Sequence, residues 1–218
     1  MKNIGVILSG CGVYDGSEIH EAACVLLALA QQGVQVHCFA PDIAQRDVVN
    51  HLNGQPQANP RNVLEESARI ARGAIKPLWQ ADALSLDALI VPGGFGAAKN
   101  LCVFALKGAQ CEVIPELRAL LERMRELGKP LCFVCIAPVI AAKVFGAQGV
   151  SLTTGSSNDD TAQALAAMGA TPIECAADDC HVDAALKIIS TPAYMRARGI
   201  DEVFAGVHKA VQALIKLI

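Results

Sequence analysis

Short apolar runs alternate along this chain with longer amphipathic stretches, and the alternation sets the order of elements. Lys2–Ser9 reads as a strand, and Glu18–Gln32 as a helix ending at Gly33. Val34–Ala40 follows as a second strand closed by Pro41-Asp42, and Asn62–Arg72 as a helix after the polar loop Asn53–Pro60. Ala88-Leu-Ile-Val91 is an all-apolar strand running into Pro92-Gly93-Gly94, and Pro115–Leu127 predicts a helix with Gly128 behind it. Leu131–Val134 reads as a buried strand and Ile136–Phe145 as a helix. Pro138 lies in its first turn, where a missing N–H has no helical partner to lose. Val150–Thr153 predicts a further strand, and Asn158 or Asp159 caps a helix over Thr161–Met168. Cys180–Val182 and Lys187–Ile189 suggest a late strand pair, and Asp201–Ile218 a closing amphipathic helix.

Strands that are apolar throughout and flanked by helices call for a mostly parallel sheet with helices on both faces. The chain thus reads as a single α/β domain over residues 1–218. In such sheets ligands bind beyond the C-terminal ends of the strands. Gly10–Gly16, Gly93–Gly96 and Cys135 all fall at such ends.

Composition narrows the function. Of the 218 residues 53% are hydrophobic and 18% charged, enough for a large core without staples, and the net charge of -3 argues against a nucleic-acid surface. Ala22–Pro41 carries no formally charged residue, yet Gln31-Gln32-Gly33 breaks it into helix, turn and strand, so it predicts no membrane span. The run after Lys2 is too short for a secretory leader. Nine cysteines, an odd number, point to free thiols in a reducing cytoplasm.

Cys135 is the first candidate for chemistry. It stands between strand and helix, at the position of a nucleophile elbow. The positive end of the following helix dipole is expected to lower its thiol pKa. Against this stands the plainer reading of one more core cysteine. Glu21 precedes the apolar stretch Ala22–Ala30, so its carboxyl group should be buried, protonated and able to donate to a thiolate. Glu18, three residues earlier on the same face, competes for that role, while His20 belongs to the rim. Pro92-Gly93-Gly94-Phe95-Gly96 can converge backbone N–H groups on an oxyanion, with Gly94 and Ile136 as the two donors, or can be a plain turn.

Other patterns carry less. Gly10-Cys-Gly12-Val-Tyr-Asp-Gly16 lacks the dinucleotide spacing, and the helix it opens carries Asp15, Glu18 and Glu21 where a pyrophosphate needs positive charge. Cys132 and Cys135 resemble a redox pair, but strand alternation places Cys132 on the opposite sheet face. Cys175, Cys180 and His181 match no zinc spacing, so no metal is expected. Cys11 sits where it can line the crevice or not.

Three pieces together, Glu21, Pro92-Gly-Gly-Phe-Gly-Ala-Ala-Lys-Asn-Leu101 and Cys135-Ile-Ala-Pro138, resemble the ThiJ/PfpI superfamily with its class I glutamine amidotransferase-like fold. More narrowly, the string from Ile7 to Glu21 and Thr191-Pro-Ala-Tyr-Met195 resemble the ElbB branch, the enhancing lycopene biosynthesis proteins. The resemblance spans essentially the whole chain. It implies a flavodoxin-like three-layer α/β sandwich, a homodimer, and a cofactor-independent glyoxalase-type lyase. Small dicarbonyls such as glyoxal, or glycated adducts, would be its substrates. By position, Cys135 would be the nucleophile, Glu21 its partner, and Gly94 with Ile136 the oxyanion donors. Many superfamily members place a histidine about twenty residues after the nucleophile. Here Val150–Gly155 holds none, which predicts slow turnover.

Three functions follow from this pattern. In the first, Cys135 attacks glyoxal to give a hemithioacetal that ends as glycolate. The second keeps the fold without turnover, as a thiol sensor or regulatory partner supporting isoprenoid synthesis. The third, a glutaminase, would need His181-Val-Asp183 beside Cys135.

Overall fold

A computed structural model describes residues 1–218. The strands are β1 (Asn3–Ile7), β2 (Gln35–Ala40), β3 (Val49–Asn50), β4 (Gln55–Pro56), β5 (Ile75–Pro77), β6 (Ala88–Val91), β7 (Leu131–Val134), β8 (Ser151–Gly155), β9 (Thr171–Glu174), β10 (His181–Asp183) and β11 (Ile188–Thr191). The helices are α1 (Ile19–Gln31), α2 (Val63–Ile70), α3 (Phe104–Lys107), α4 (Pro115–Glu126), α5 (Pro138–Phe145), α6 (Asp160–Ala167) and α7 (Ile200–Lys216).

Seven strands form the main sheet in the order β10-β11-β7-β6-β1-β2-β5. Every neighbour pair is parallel except β10 with β11. Alternation along the strands sorts the side chains into two cores. Leu131, Phe133, Leu89 and Val91 pack on one face with α4 and α5, while Cys132, Val134, Ile90 and Val6 pack on the other with α1 and α7. This is the three-layer sandwich the apolar strands call for.

Several boundaries differ from the sequence reading. Val150–Thr153 does become a strand, but β8 pairs with β9 in a separate two-stranded sheet. Helix α5 starts at Pro138, because Ile136 and Ala137 are used in the turn after Cys135. Glu18 is the N-cap of α1, its carboxylate accepting the Glu21 N–H at 2.7 Å. Asp159, not Asn158, caps α6 by accepting the Ala162 N–H at 2.8 Å.

Candidate active site at the end of β7

The chain leaves β7 through Cys135, whose φ of 62° puts a non-glycine residue in the left-handed region. Such a conformation costs of order 1–3 kcal/mol and survives only where the surroundings impose it. Here the Cys135 N–H donates to the Thr191 carbonyl at 2.9 Å, continuing the β7–β11 ladder. The reversed φ also breaks strand alternation. Cys135 therefore packs in the same core as Cys132, on the α1 and α7 side, which corrects the expectation of opposite faces. Both thiols are nevertheless free.

Around this turn the structure gathers all four residues singled out in the sequence. Glu21 is fully buried beside the sulfur and hydrogen-bonded to it, and the backbone N–H groups of Gly94 and Ile136 point at the sulfur. The carboxyl group of Glu21 is itself clamped. Its Oε2 accepts the Gly93 N–H at 3.1 Å and its Oε1 accepts the Tyr194 N–H at 3.3 Å. Glu18 points back to the Glu21 backbone and stands off the sulfur, so Glu21 takes the role the two competed for.

Gly93 and Gly94 make this closeness possible. A Cβ on Gly93 would lie 2.5 Å from the Cys135 Cβ and 2.6 Å from Glu21 Oε2. Gly94, at φ 92°, runs so close to α1 that a Cβ would meet the Glu18 backbone nitrogen at 2.3 Å. The 10–16 turn interlocks with this loop through Phe95 N–H to Val13 O at 2.8 Å and Gly96 N–H to Gly16 O at 2.8 Å. Its glycines thus serve a tight backbone crossing. Asn100, which the sequence reading passed over, ties the same loops: its amide donates to Ser9 O at 2.9 Å and Asp15 O at 3.0 Å. The signal available was its place in the Gly-Ala-Ala-Lys-Asn string.

Electrostatics reverse one expectation. Burial, then the charge and hydrogen bond of Glu21, push the Cys135 thiol well up, and the Gly94 and Ile136 N–H groups offset only part of this. The dipole of α5 begins too far along the chain to win, since desolvation penalises the thiolate more strongly in a site only 7% exposed. Burial likewise raises Glu21 to about 8, helped by the Glu18 charge and opposed by its hydrogen bonds to Cys135, Tyr194 and Gly93. At neutral pH the pair therefore holds both protons, a thiol facing a carboxylic acid.

His20 is exposed, its Nδ1 2.7 Å from the Tyr194 hydroxyl. His181 and Asp183 both contact the Ser151 hydroxyl, at 2.8 and 3.0 Å. They pair with Ser190 and Ile188 on the face of the sheet opposite Glu21, so they cannot serve Cys135. Gly155 occupies the stretch where a histidine base was sought. Its carbonyl accepts Arg196 Nη1 at 2.7 Å, and the Arg196 side chain lies over it. Cys11 is half-buried near Glu66 and Arg69. No group of three or more His, Cys, Asp and Glu side chains is arranged to hold a metal ion, and no helix is long and apolar enough to cross a membrane.

Next to the Cys135 turn opens a pocket of about 320 Å³, with Gly94, Ile136, Phe95 and Met195 among its walls but not Cys135 itself. Larger depressions of about 520 and 510 Å³ flank α4 and hold charged residues such as Glu116 and Arg125, remote from Cys135. They are surface grooves; the smaller pocket is the one that adjoins the Cys135 turn.

A cysteine at a left-handed turn after a central parallel strand, backed by a buried glutamate, sits here in a fold shared with DJ-1/ThiJ/PfpI-type proteins. Solved structures agree. An isoprenoid biosynthesis protein with an amidotransferase-like domain from Ehrlichia chaffeensis superposes with a TM-score of 0.92 at 32% identity, over 100% of this chain and 99% of that one. Drosophila melanogaster DJ-1beta shares the fold at a TM-score of 0.57 and 17% identity, over 99% of this chain and 90% of that one. No protein-family model matches the chain. Among curated proteins, it is 43% identical to the human mitochondrial glutamine amidotransferase-like class 1 domain-containing protein 3, over 98% of this chain and 82% of that one. It is 34% identical to the mitochondrial ES1 protein of Danio rerio, over 88% of this chain and 77% of that one. The chain belongs to this ES1 family of glutamine amidotransferase-like class 1 domain proteins.

Proposed function

We propose that the protein is a slow, cofactor-independent glyoxalase acting on small dicarbonyls through Cys135. The observation that carries this reading is the contact between the Cys135 thiol and the Glu21 carboxyl group, with the Gly94 and Ile136 backbone N–H groups turned toward the same sulfur. A base works best when its pKa lies near the working pH, and Glu21 at about 8 meets that condition without a histidine.

The Glu21 carboxylate takes the thiol proton as sulfur forms a bond to the aldehyde carbon of glyoxal. The carbonyl π electrons move to oxygen, and the oxyanion lies against the Gly94 and Ile136 N–H groups until Glu21 gives it the proton taken from the thiol, which restores the Glu21 carboxylate. Glu21 then removes the C–H proton of the hemithioacetal carbon and an enediol forms. Return of a proton to the neighbouring carbon gives the thioester of glycolate. Water cleaves it, releasing glycolate and restoring the thiol.

A homodimer in a reducing compartment, such as the cytoplasm, and action on early glycated adducts belong to the same proposal. The alternative, a thiol sensor or regulatory partner in isoprenoid synthesis, draws on the likeness to the Ehrlichia isoprenoid biosynthesis protein and on the missing histidine. It is the weaker reading, because oxidation follows thiolate character and burial suppresses the thiolate here. Glyoxal consumption by wild type, Cys135→Ser and Glu21→Gln tests the proposal. The expected wild-type rate rises with pH up to about 8 as the Glu21 carboxylate forms, and both variants lose it. Equal rates for wild type and Cys135→Ser would end the enzyme reading.

A further inference from the structure

We infer that the carbonyl compound taken by this site carries an uncharged hydrocarbon substituent of several carbons, which fills the pocket between Phe95, Phe104 and Met195. The inference rests on the carbonyl chemistry proposed above and names its substrate class.

The pocket opens on the residues that flank the reacting group, Gly94 and Ile136, while Cys135 and Glu21 themselves lie behind its lining. Gly94 and Ile136 form part of its wall, and their N–H groups face the Cys135 sulfur. A carbonyl carbon bonded to that sulfur, with its oxygen on those N–H groups, has its remaining substituent directed along the same wall. Beyond them the lining is apolar, and Thr161 supplies its one hydroxyl. No charged side chain lines it. A carboxylate, phosphate or ammonium entering there would lose its water and find no partner, which costs several kcal/mol for an unpaired polar group.

Size points the same way. A water molecule takes up about 30 Å³ in the liquid, so a pocket of about 320 Å³ holds about ten units of that size. Glyoxal, with four non-hydrogen atoms, leaves more than half of it wet. Phe95 is 49% exposed; the Lys99 ammonium stands over its ring, 5.2 Å from the centroid, and the rest of the aromatic surface is open at the pocket. Covering it with a hydrocarbon chain gains the burial energy that glyoxal forgoes. Met195, unbranched and adaptable, suits the end of such a chain, and Phe104 on the single-turn helix α3 limits its length.

Two measurements test this. In the first, kcat/KM is compared across glyoxal, methylglyoxal, propylglyoxal and pentylglyoxal for wild type and for Ala105→Trp, which narrows the pocket from an exposed position. The expected gain is about threefold to fourfold per added methylene, and Ala105→Trp lowers the pentylglyoxal-to-glyoxal ratio at least about tenfold. The second measures, by NMR titration of Cys135→Ser, the binding of unreactive primary amides from acetamide to hexanamide, with hexanoate as the charged control. Affinity is expected to climb with chain length, and hexanoate to bind more weakly than hexanamide. Turnover of glyoxal with a flat or falling dependence on chain length overturns the inference and leaves the glyoxalase reading standing. No turnover of any aldehyde, with amide affinity still climbing, removes the glyoxalase reading and upholds the apolar pocket. Flat amide binding, or hexanoate equal to hexanamide, refutes the inference by itself.

Discussion

Replacing Glu21 with glutamine should change how stability depends on pH, and the size of the change follows from the structure. The carboxyl group is fully buried and titrates near 8 in the folded chain, against an ordinary 4.5 when unfolded. Between those values the folded protein holds a proton that the unfolded chain has released. Stability therefore falls as pH rises through this window, at up to about 1.4 kcal/mol per pH unit for this one group. Over the whole window the loss is roughly 5 kcal/mol, and from pH 5.5 to 7.5 about 3 kcal/mol. Glutamine does not titrate. It also faces both the Gly93 and Tyr194 N–H groups with only one carbonyl oxygen, so Glu21→Gln starts less stable at pH 5.5 by about 1–3 kcal/mol. Urea unfolding followed by circular dichroism at half-unit steps should then show the wild-type advantage shrinking and reversing by pH 8. Other titrating groups are common to both proteins and cancel in the difference. A gap between the two curves that stays constant from pH 5.5 to 8 would refute a buried, proton-holding Glu21.

Gly93→Ala places a methyl group 2.5 Å from the Cys135 Cβ and should cost about 1–3 kcal/mol, read as a lower urea midpoint, together with loss of glyoxal turnover. Asn100→Ala strands two buried carbonyl groups, Ser9 O and Asp15 O, and is expected to lower stability by about 2–4 kcal/mol in the same assay. In timed iodoacetamide labelling at pH 7.5, read by peptide mass spectrometry, Cys135 should lag behind the half-buried Cys175 and Cys180, whose thiols sit near 11. If Cys135 were the first to react, its thiol would be ionised at rest and the electrostatic account given above would be wrong.

The central strands were legible because burial on both faces leaves a sequence no choice but continuous apolar residues: Ala88–Val91 and Leu131–Val134 match to the residue. Helix ends were legible where a side chain caps them, as Asn62 does for α2 by accepting the Leu64 N–H at 2.8 Å. Peripheral strands escaped notice for the converse reason. β5 and β9 lie at sheet edges, are partly exposed and contain Pro77 and Pro172, residues that a ladder tolerates only at its margin. At the site, residue types and spacing pointed to Glu21, Gly94, Cys135 and Ile136, which the fold places next to one another. What they could not convey is depth. The proton affinity of Cys135 is set by how completely α1 and the 93–96 loop exclude water, a property of three segments packed together. Parity failed at Cys132 for a similar reason, since one backbone dihedral at Cys135 overrides the strand's alternation.

Gly155 has a bearing on attempts to remodel this protein. Grafting an imidazole there to speed the reaction meets a backbone obstacle before any chemical one, because the residue sits at φ 106°, a conformation hostile to side chains. A new Cβ would also press on Arg196 at 3.1 Å and on Pro192 at 3.3 Å. Arg196 in turn holds Glu174 and the Gly155 carbonyl, so clearing space unfastens β9 from the turn that follows β11. If glyoxal turnover is observed, raising it calls for changes at the acid on α1 rather than a base placed at Gly155.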